Sequence, residues 1–278
     1  MTLKDLHNQA SAFADTKPMP ALFVGHGNPM NAIEDNEFTR AWHGINHSLP
    51  HPSAIVCISA HWETRGTYVM ASEKPETIHD FYGFPRELFA QQYPAKGNPV
   101  LAQEIAAKIK SPEIVTTHEW GLDHGTWSVL RHIYPEADIP VIQISIDHYK
   151  DPQWHSELGA QLAFLRSKGV LVVGSGNMVH NLRMIRWHEE DFNIEDGYDW
   201  AFELNDIFKE KIKDNKLDDL IAFSNLHKDA RLAIPTPEHY IPLLYMMGMR
   251  QKGDSVSFFN DKVIAGSLSM TSVIIGNQ

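Results

Sequence analysis

Sixteen histidines stand among 278 residues, and six of them sit beside short apolar runs, mostly at turns marked by glycine, proline or tryptophan. His26 lies in Gly25-His26-Gly27-Asn28-Pro29, His61 in Ser59-Ala60-His61-Trp62, and His118 directly after Thr117. His124 lies in Gly121-Leu122-Asp123-His124-Gly125, His180 in Gly176-Asn177-Met178-Val179-His180-Asn181, and His239 in Pro235-Thr236-Pro237-Glu238-His239-Tyr240. Imidazole is the commonest side-chain metal ligand and ordinarily exchanges a proton near neutral pH. Two chemistries fit these residues: coordination of a metal ion, and acid–base work beside it. Glycines next to His26, His124 and His180 allow tight turns and close approach of a ligand to the backbone.

A single histidine after a strand is more often a loop residue bonded to backbone than a ligand. The chain-wide pattern carries the weight here, because no local motif such as His-Glu-x-x-His is present. His7, His43, His47, His51, His148, His155, His188 and His227 occupy polar or helical contexts and are read as solvated; His79 and His132 are left unassigned. Gly174-Ser175-Gly176 is read as a glycine turn without the lysine and spacing of a P-loop. Trp62, Trp120 and Trp127 suit an aromatic pocket or plain packing equally well. Cys57, in mid-strand, is read as an inert core residue.

The elements that must position these residues alternate between β-branched runs and amphipathic stretches. Strands are expected at Ala21–Val24, Ala54–Ala60, Gly66–Ala71, Ile114–Thr117, Val141–Ile146 and Val170–Val173. Helices are expected over 36–48, from Asn98-Pro99 (apolar stripe Leu101, Ile105, Ile109), from a Thr126 cap to Ile133, from Asp151-Pro152 (Leu158, Leu162 and Leu165 inward), over Asp199–Ile212, and from Thr236-Pro237 to Gly248. Ser255–Phe259 and Val263–Ile275 are expected as closing strands, a hairpin turning at Asn260-Asp261. The segments Glu73–Pro85 and His188–Gly197 are read as polar surface loops. The alternation implies an α/β fold, a single domain with a mostly parallel central sheet covered by helices on both faces. Ligands of such sheets bind beyond the carboxyl ends of the strands, where these histidines fall.

Composition bounds the function. The chain is 43% hydrophobic and 21% charged, as globular proteins are. A net charge of -11 argues against a nucleic-acid partner, which needs a basic face. No apolar run is long enough to span a bilayer, and residues 1–17 are read as a polar N-terminal extension of a single catalytic domain covering 1–278. One cysteine excludes an internal disulfide framework and favours the cytoplasm. A homo-oligomer is compatible with the sequence and not specified by it.

Five of these motifs, around His26 (through Met30), His61, His124 (from Trp120), His180 (from Ser175) and His239, resemble in order those of the class III extradiol ring-cleaving dioxygenases, within them the 4,5-DOPA dioxygenase extradiol branch. The likeness runs from about Pro20 to Gly276. It implies one α/β domain that opens catechol rings beside the diol with O₂ and a non-haem Fe(II), for L-DOPA at the 4,5 bond to give a muconate semialdehyde. By resemblance His26, His61 and His239 fall at metal-ligand positions. His180 falls at a further ligand or acid/base position, and His124 near substrate and oxygen. His180 or His124 would take the diol proton and later return one. Asn28 stands where that branch often has Ser. Relatives that use two His and a carboxylate differ from this chain, where His239 takes the third place. Glu238 beside it is not expected to bind the same ion, since consecutive helical residues diverge by about 100°. An all-histidine set also suits Zn(II) as the bound metal. Arg183 and Arg186 are the candidates for holding a charged substrate tail. Two rival readings remain: a zinc-dependent hydrolase using Glu238 or His180 as base, disfavoured by the scarcity of carboxylates at the strand ends, and a metal-binding protein without catalysis.

Overall fold

A computed structural model describes residues 15–111, 113–188 and 191–277. His7 and most of the expected N-terminal extension lie outside them. Ten strands are described: β1 (Ala21–Gly25), β2 (Ala54–Thr64), β3 (Thr67–Met70), β4 (Ile114–Thr117), β5 (Val141–Asp147), β6 (Val170–Gly176), β7 (Val256–Phe259), β8 (Val263–Ile264), β9 (Leu268–Ser269) and β10 (Ser272–Ile275). Eight of them form one sheet in the order β4-β3-β5-β2-β6-β1-β10-β7. The centre, β5-β2-β6-β1, is parallel throughout; β3 on β5, and β10 on β1 and β7, run antiparallel. β1, β5 and β6 are buried at every residue, as strands covered on both faces must be.

The longer helices are α1 (Glu37–Ile45), α2 (Pro99–Lys108), α3 (His124–Ile133), α4 (Pro152–Leu162), α5 (Asp199–Lys213) and α6 (Ile241–Gly248). α1 packs on α3, while α6 packs on α4 and β6. Their starts follow local chemistry. Asn36, Asn98 and Asp151 each accept a backbone N–H of the first turn, and Pro99 and Pro152 stand where no N–H is needed. α3 begins earlier than expected: Asp123, not Thr126, is its cap.

Three boundaries differ from expectation. The expected closing hairpin does not form: β7 pairs with β10, and β8 folds onto β9 instead. Ala265 (φ 48°) and Gly266 (φ 81°) turn the chain inside what reads as one β-branched run. Helix α6 starts at Ile241 rather than Thr236, because Pro242 tolerates a helix's first turn but not its interior. Gly174-Ser175-Gly176 is no turn but the buried end of β6. Among the described residues no helix is long and apolar enough to cross a membrane.

Candidate metal centre and active site

Five histidines meet at the carboxyl ends of β1, β2 and β6. His26 follows β1 and continues its pairing, its N–H donating to the Gly176 carbonyl at 3.1 Å. His61 lies within β2, not after it, in a register shift against β5 between Ile58 and Glu63. Such a bulge re-aims the side chain it carries. His124 opens α3. His239 precedes α6, held against β6 where Asn177 N–H donates to the His239 carbonyl at 2.8 Å. A Cβ on Gly176 would stand 2.1 Å from that carbonyl oxygen, so glycine there permits the approach of His239. Gly125 likewise leaves room for the His61 ring, 2.9 Å from where a Cβ would be.

In four of these rings Nδ1 is turned outward to a partner. Ser175 Oγ donates to the Gly125 carbonyl and lies 3.0 Å from His26 Nδ1, so it accepts from that nitrogen. Asp80 Oδ2 stands 2.9 Å from His124 Nδ1 and 3.3 Å from His61 Nδ1, while its Oδ1 accepts the His124 backbone N–H. Glu238 Oε1 is 3.1 Å from His239 Nδ1. With the proton on Nδ1, each Nε2 is a bare acceptor. His26 Nε2 and His61 Nε2 face each other at 3.2 Å. Two nitrogens ~2.1 Å from a shared ion stand about 3.0–3.4 Å apart, so the pair has the spacing of co-ligands. A carboxylate, hydroxyl or carbonyl on the far nitrogen is also the usual support of a ligating histidine. Among the described residues two groups have the closeness a cation needs: His26, His61 and His124, and His180, Glu238 and His239. The His239 ring joins them, its centroid 5.3 Å from that of His26 and 5.1 Å from that of His61.

His180 differs. Its ring lies parallel to His239, centroids 3.5 Å apart and planes within 9°. A ring nitrogen offers its lone pair in the ring plane, so the two stacked rings direct their lone pairs into separate, parallel planes.

Burial and crowding favour the neutral form of His26, His61, His180 and His239. Burial, then the mutual repulsion of the rings, lowers His26 and His239 well below the usual histidine range. Burial and His124 bring His61 down to about 3, against the pull of Asp80. Burial brings His180 down to about 4, against Glu238. Burial raises Asp80, but the hydrogen bond and charges of His124 and His61 outweigh it, and the carboxyl ends below its usual range. Neutral imidazoles with lone pairs aimed into a cavity are the donor set a divalent cation requires.

The cavity above them holds about 460 Å³, with Phe81, Phe84, Ile185, Trp187 and Phe192 in its walls. The two segments expected to be polar surface loops supply Phe81 and Phe84 from the first and Phe192 from the second, while Ile185 and Trp187 come from the stretch just before the second. Asp80, which sequence reasoning missed, arrives on the first of them. That loop is strapped down by Trp127 Nε1 donating to Ile78 O at 2.8 Å and by reciprocal backbone bonds of Leu122 with Glu76 and Ile78. Trp127 is thus a packing residue, and Trp62 and Trp120 stack on each other away from the histidines. His118 is exposed and stays out of the cavity. So does Arg186, paired with Asp196, and so does Arg183. His155, read as solvated, is fully buried beside the Tyr245 hydroxyl. His79 and His132 each bond a backbone carbonyl. Cys57 is buried, and burial pushes its thiol well up, as an inert core residue requires. Asn28 caps a short turn, accepting from Met30 N, a role serine fills equally well.

The family model for the catalytic LigB subunit of aromatic ring-opening dioxygenase matches residues 20–272. A 4,5-DOPA dioxygenase extradiol of Escherichia coli K12 is 46% identical over 93% of this chain and 95% of its own length. One from Beta vulgaris is 34% identical over 90% of this chain and 94% of its own. The crystal structure of an uncharacterized E. coli K12 protein superposes with a TM-score of 0.80 at 42% identity, covering 93% of this chain and all of that one.

Proposed function

Because the chain belongs to the LigB family of aromatic ring-opening dioxygenases, we propose that it is an extradiol enzyme that cleaves catechols, at the 4,5 bond of L-DOPA or a related catechol, to a muconate semialdehyde. The observation that carries this reading is the convergence of the His26, His61 and His239 rings, each anchored through Nδ1, at the floor of an apolar cavity. His26, His61 and His239 hold one divalent ion, Fe(II) for activity, with Zn(II) as the competing occupant. When bound, that ion supplies the positive charge that favours the deprotonated diol and the redox capacity that O₂ activation requires.

The chain's own residues do the rest. His124, its Nδ1–H held by Asp80, presents Nε2 toward the cavity to take a diol proton. His180, its ring stacked parallel on that of His239, would move a proton rather than ligate. The apolar walls keep bulk water from the opening ring. In the net reaction the ring bond beside the diol breaks and both atoms of O₂ enter the product. For the hydrolase alternative, Asp80 and Glu238 are both tied to imidazole, which leaves His180 as its remaining base.

Anaerobic loading with Fe(II), followed by catechols in air, tests the reading. One O₂ consumed per ring, with a yellow semialdehyde, is the expected result. No O₂ uptake with any of a catechol panel would refute it.

A further inference from the structure

Behind the histidines lies a buried carboxylate that the chemistry above does not use. Asp123, Ser59 and Gln143 are all fully buried. Four donors converge on the two oxygens of Asp123. Oδ1 accepts from the Ser59 hydroxyl at 2.7 Å and from the Thr126 N–H at 3.2 Å. Oδ2 accepts from Gln143 Nε2 at 2.7 Å and from Trp120 Nε1 at 3.4 Å. The Asp123 backbone N–H donates back to Gln143 Oε1 at 3.1 Å, so the two residues form a reciprocal pair. A carboxylate is acceptor-only, and a ring of donors is what it needs once water is excluded.

Two strands and a helix meet at this group: Gln143 lies in β5, Ser59 in β2, and Asp123 caps α3. The Ser59 Oγ that donates to Asp123 also accepts the His61 N–H at 3.3 Å, inside the register shift that carries His61. His124 is the first residue of α3, so the cap that fixes the helix start fixes His124 as well. Turn and strand are pressed closely together. A Cβ on Gly125 would stand 2.5 Å from Ser59 Oγ and 2.9 Å from the His61 ring. Asp80 joins the same two histidines through Nδ1, but from a loop. Asp123 joins them through the backbone, from between β2, β5 and α3.

We propose that Asp123, held by Gln143, is a positioning residue that sets His61 through Ser59 and His124 through the helix cap. One carboxylate thus fixes the spacing between a metal ligand and the imidazole that takes the diol proton, roles that rest on the function proposed above. The site depends on polarity rather than shape. Asp123→Asn turns an NH₂ either toward Gln143 Nε2 and Trp120 Nε1 or toward the Thr126 N–H, and each choice sets donor against donor. Adding Gln143→Glu inverts the pair. The amide at 123 then donates to the carboxylate at 143, whose other oxygen still accepts the backbone N–H of 123, and the total charge is unchanged.

Chelator competition for Zn(II) on the folded protein, with urea melts alongside, tests the proposal. Asp123→Asn should bind Zn(II) about tenfold or more weakly. Asp123→Asn with Gln143→Glu should return to within about threefold of wild type. Ser59→Ala, a smaller change that cuts the link to His61 and leaves the cap in place, should weaken Zn(II) by about threefold or more. It decides the matter if Asp123→Asn does not fold. With Fe(II) and a catechol, Asp123→Asn should lower kcat by about tenfold or more while KM stays within about threefold, and Gln143→Glu should again restore it. A purely structural role would lower the urea midpoint of Asp123→Asn and leave Zn(II) affinity and kcat per folded molecule as in wild type. That result, an unaltered Zn(II) affinity in Ser59→Ala, or a double variant no better than Asp123→Asn overturns the proposal. Wild-type protein that binds no Zn(II) overturns the metal reading and the proposal with it. If the affinities follow the expected order but no form consumes O₂ with any catechol, the ring-cleavage reading falls and the positioning stands.

Discussion

Two buried polar clusters sit at opposite ends of the same parallel strands. Before β1 and β6, the fully buried Arg166 places four of its five N–H donors: Nε on the Met19 carbonyl, Nη1 on the Met249 carbonyl and Asp254, and Nη2 on the other oxygen of Asp254. Beyond the same strands, the histidines satisfy Nδ1 and leave Nε2 bare. This ion-paired network ties the segment before β1 to the loop before β7. An unfinished one is an acceptor set awaiting a cation. Buried polarity therefore serves anchoring at one end of the sheet and chemistry at the other, and substitutions at the two ends should fail in different ways.

The largest contrast is expected from His61→Ala. It should abolish stoichiometric metal and lower O₂ uptake by on the order of 10³-fold, while the metal-free protein unfolds at a similar urea midpoint, because it loses a crowded neutral ring. Metal analysis with urea melts checks both halves. Asp254→Ala should do the reverse. It strands the Arg166 guanidinium and costs roughly 3–5 kcal/mol of stability by denaturant titration, with turnover per folded molecule unchanged.

His155 sharpens the comparison, being a buried imidazole outside both clusters. Burial lowers it to about 4, against Asp147 and Asp151. Its folded value lies below its unfolded one, near 6.5, so its stabilisation is whole above pH 6.5 and is lost as pH falls toward 4. That loss is on the order of 3 kcal/mol. His155→Gln should lack this dependence, so in urea melts at stepped pH the wild type should lose stability relative to the variant as pH falls across that window. The smallest effect is expected from Asp80→Asn, which keeps the shape but weakens the support of His61 and His124. A 10–100-fold loss in metal affinity or kcat is expected, read by competition with a chelator and by O₂ uptake.

Much of the architecture was legible in the chain. Strand–helix alternation specified the sheet, and Asn98-Pro99 and Asp151-Pro152 marked helix starts that their side chains indeed cap. Local periodicity could not show that β2 runs on through a bulge to carry His61, nor that Gly266 breaks the last β-branched run. Asp80 sits in an aperiodic loop, and its meaning appears only once Trp127 and Leu122 hold that loop against α3. His155 was readable in principle: it precedes Leu158 by three residues and Leu162 by seven, which puts all three on one helix face.

Anomalous diffraction at the metal edge, from crystals of Fe(II)- or Zn(II)-loaded protein, tests the central claim most directly. One peak about 2.0–2.2 Å from Nε2 of His26, His61 and His239, with His180 unligated, is the predicted result. A peak bound by His180 and Glu238, or one that leaves out His26 and His61, would contradict it.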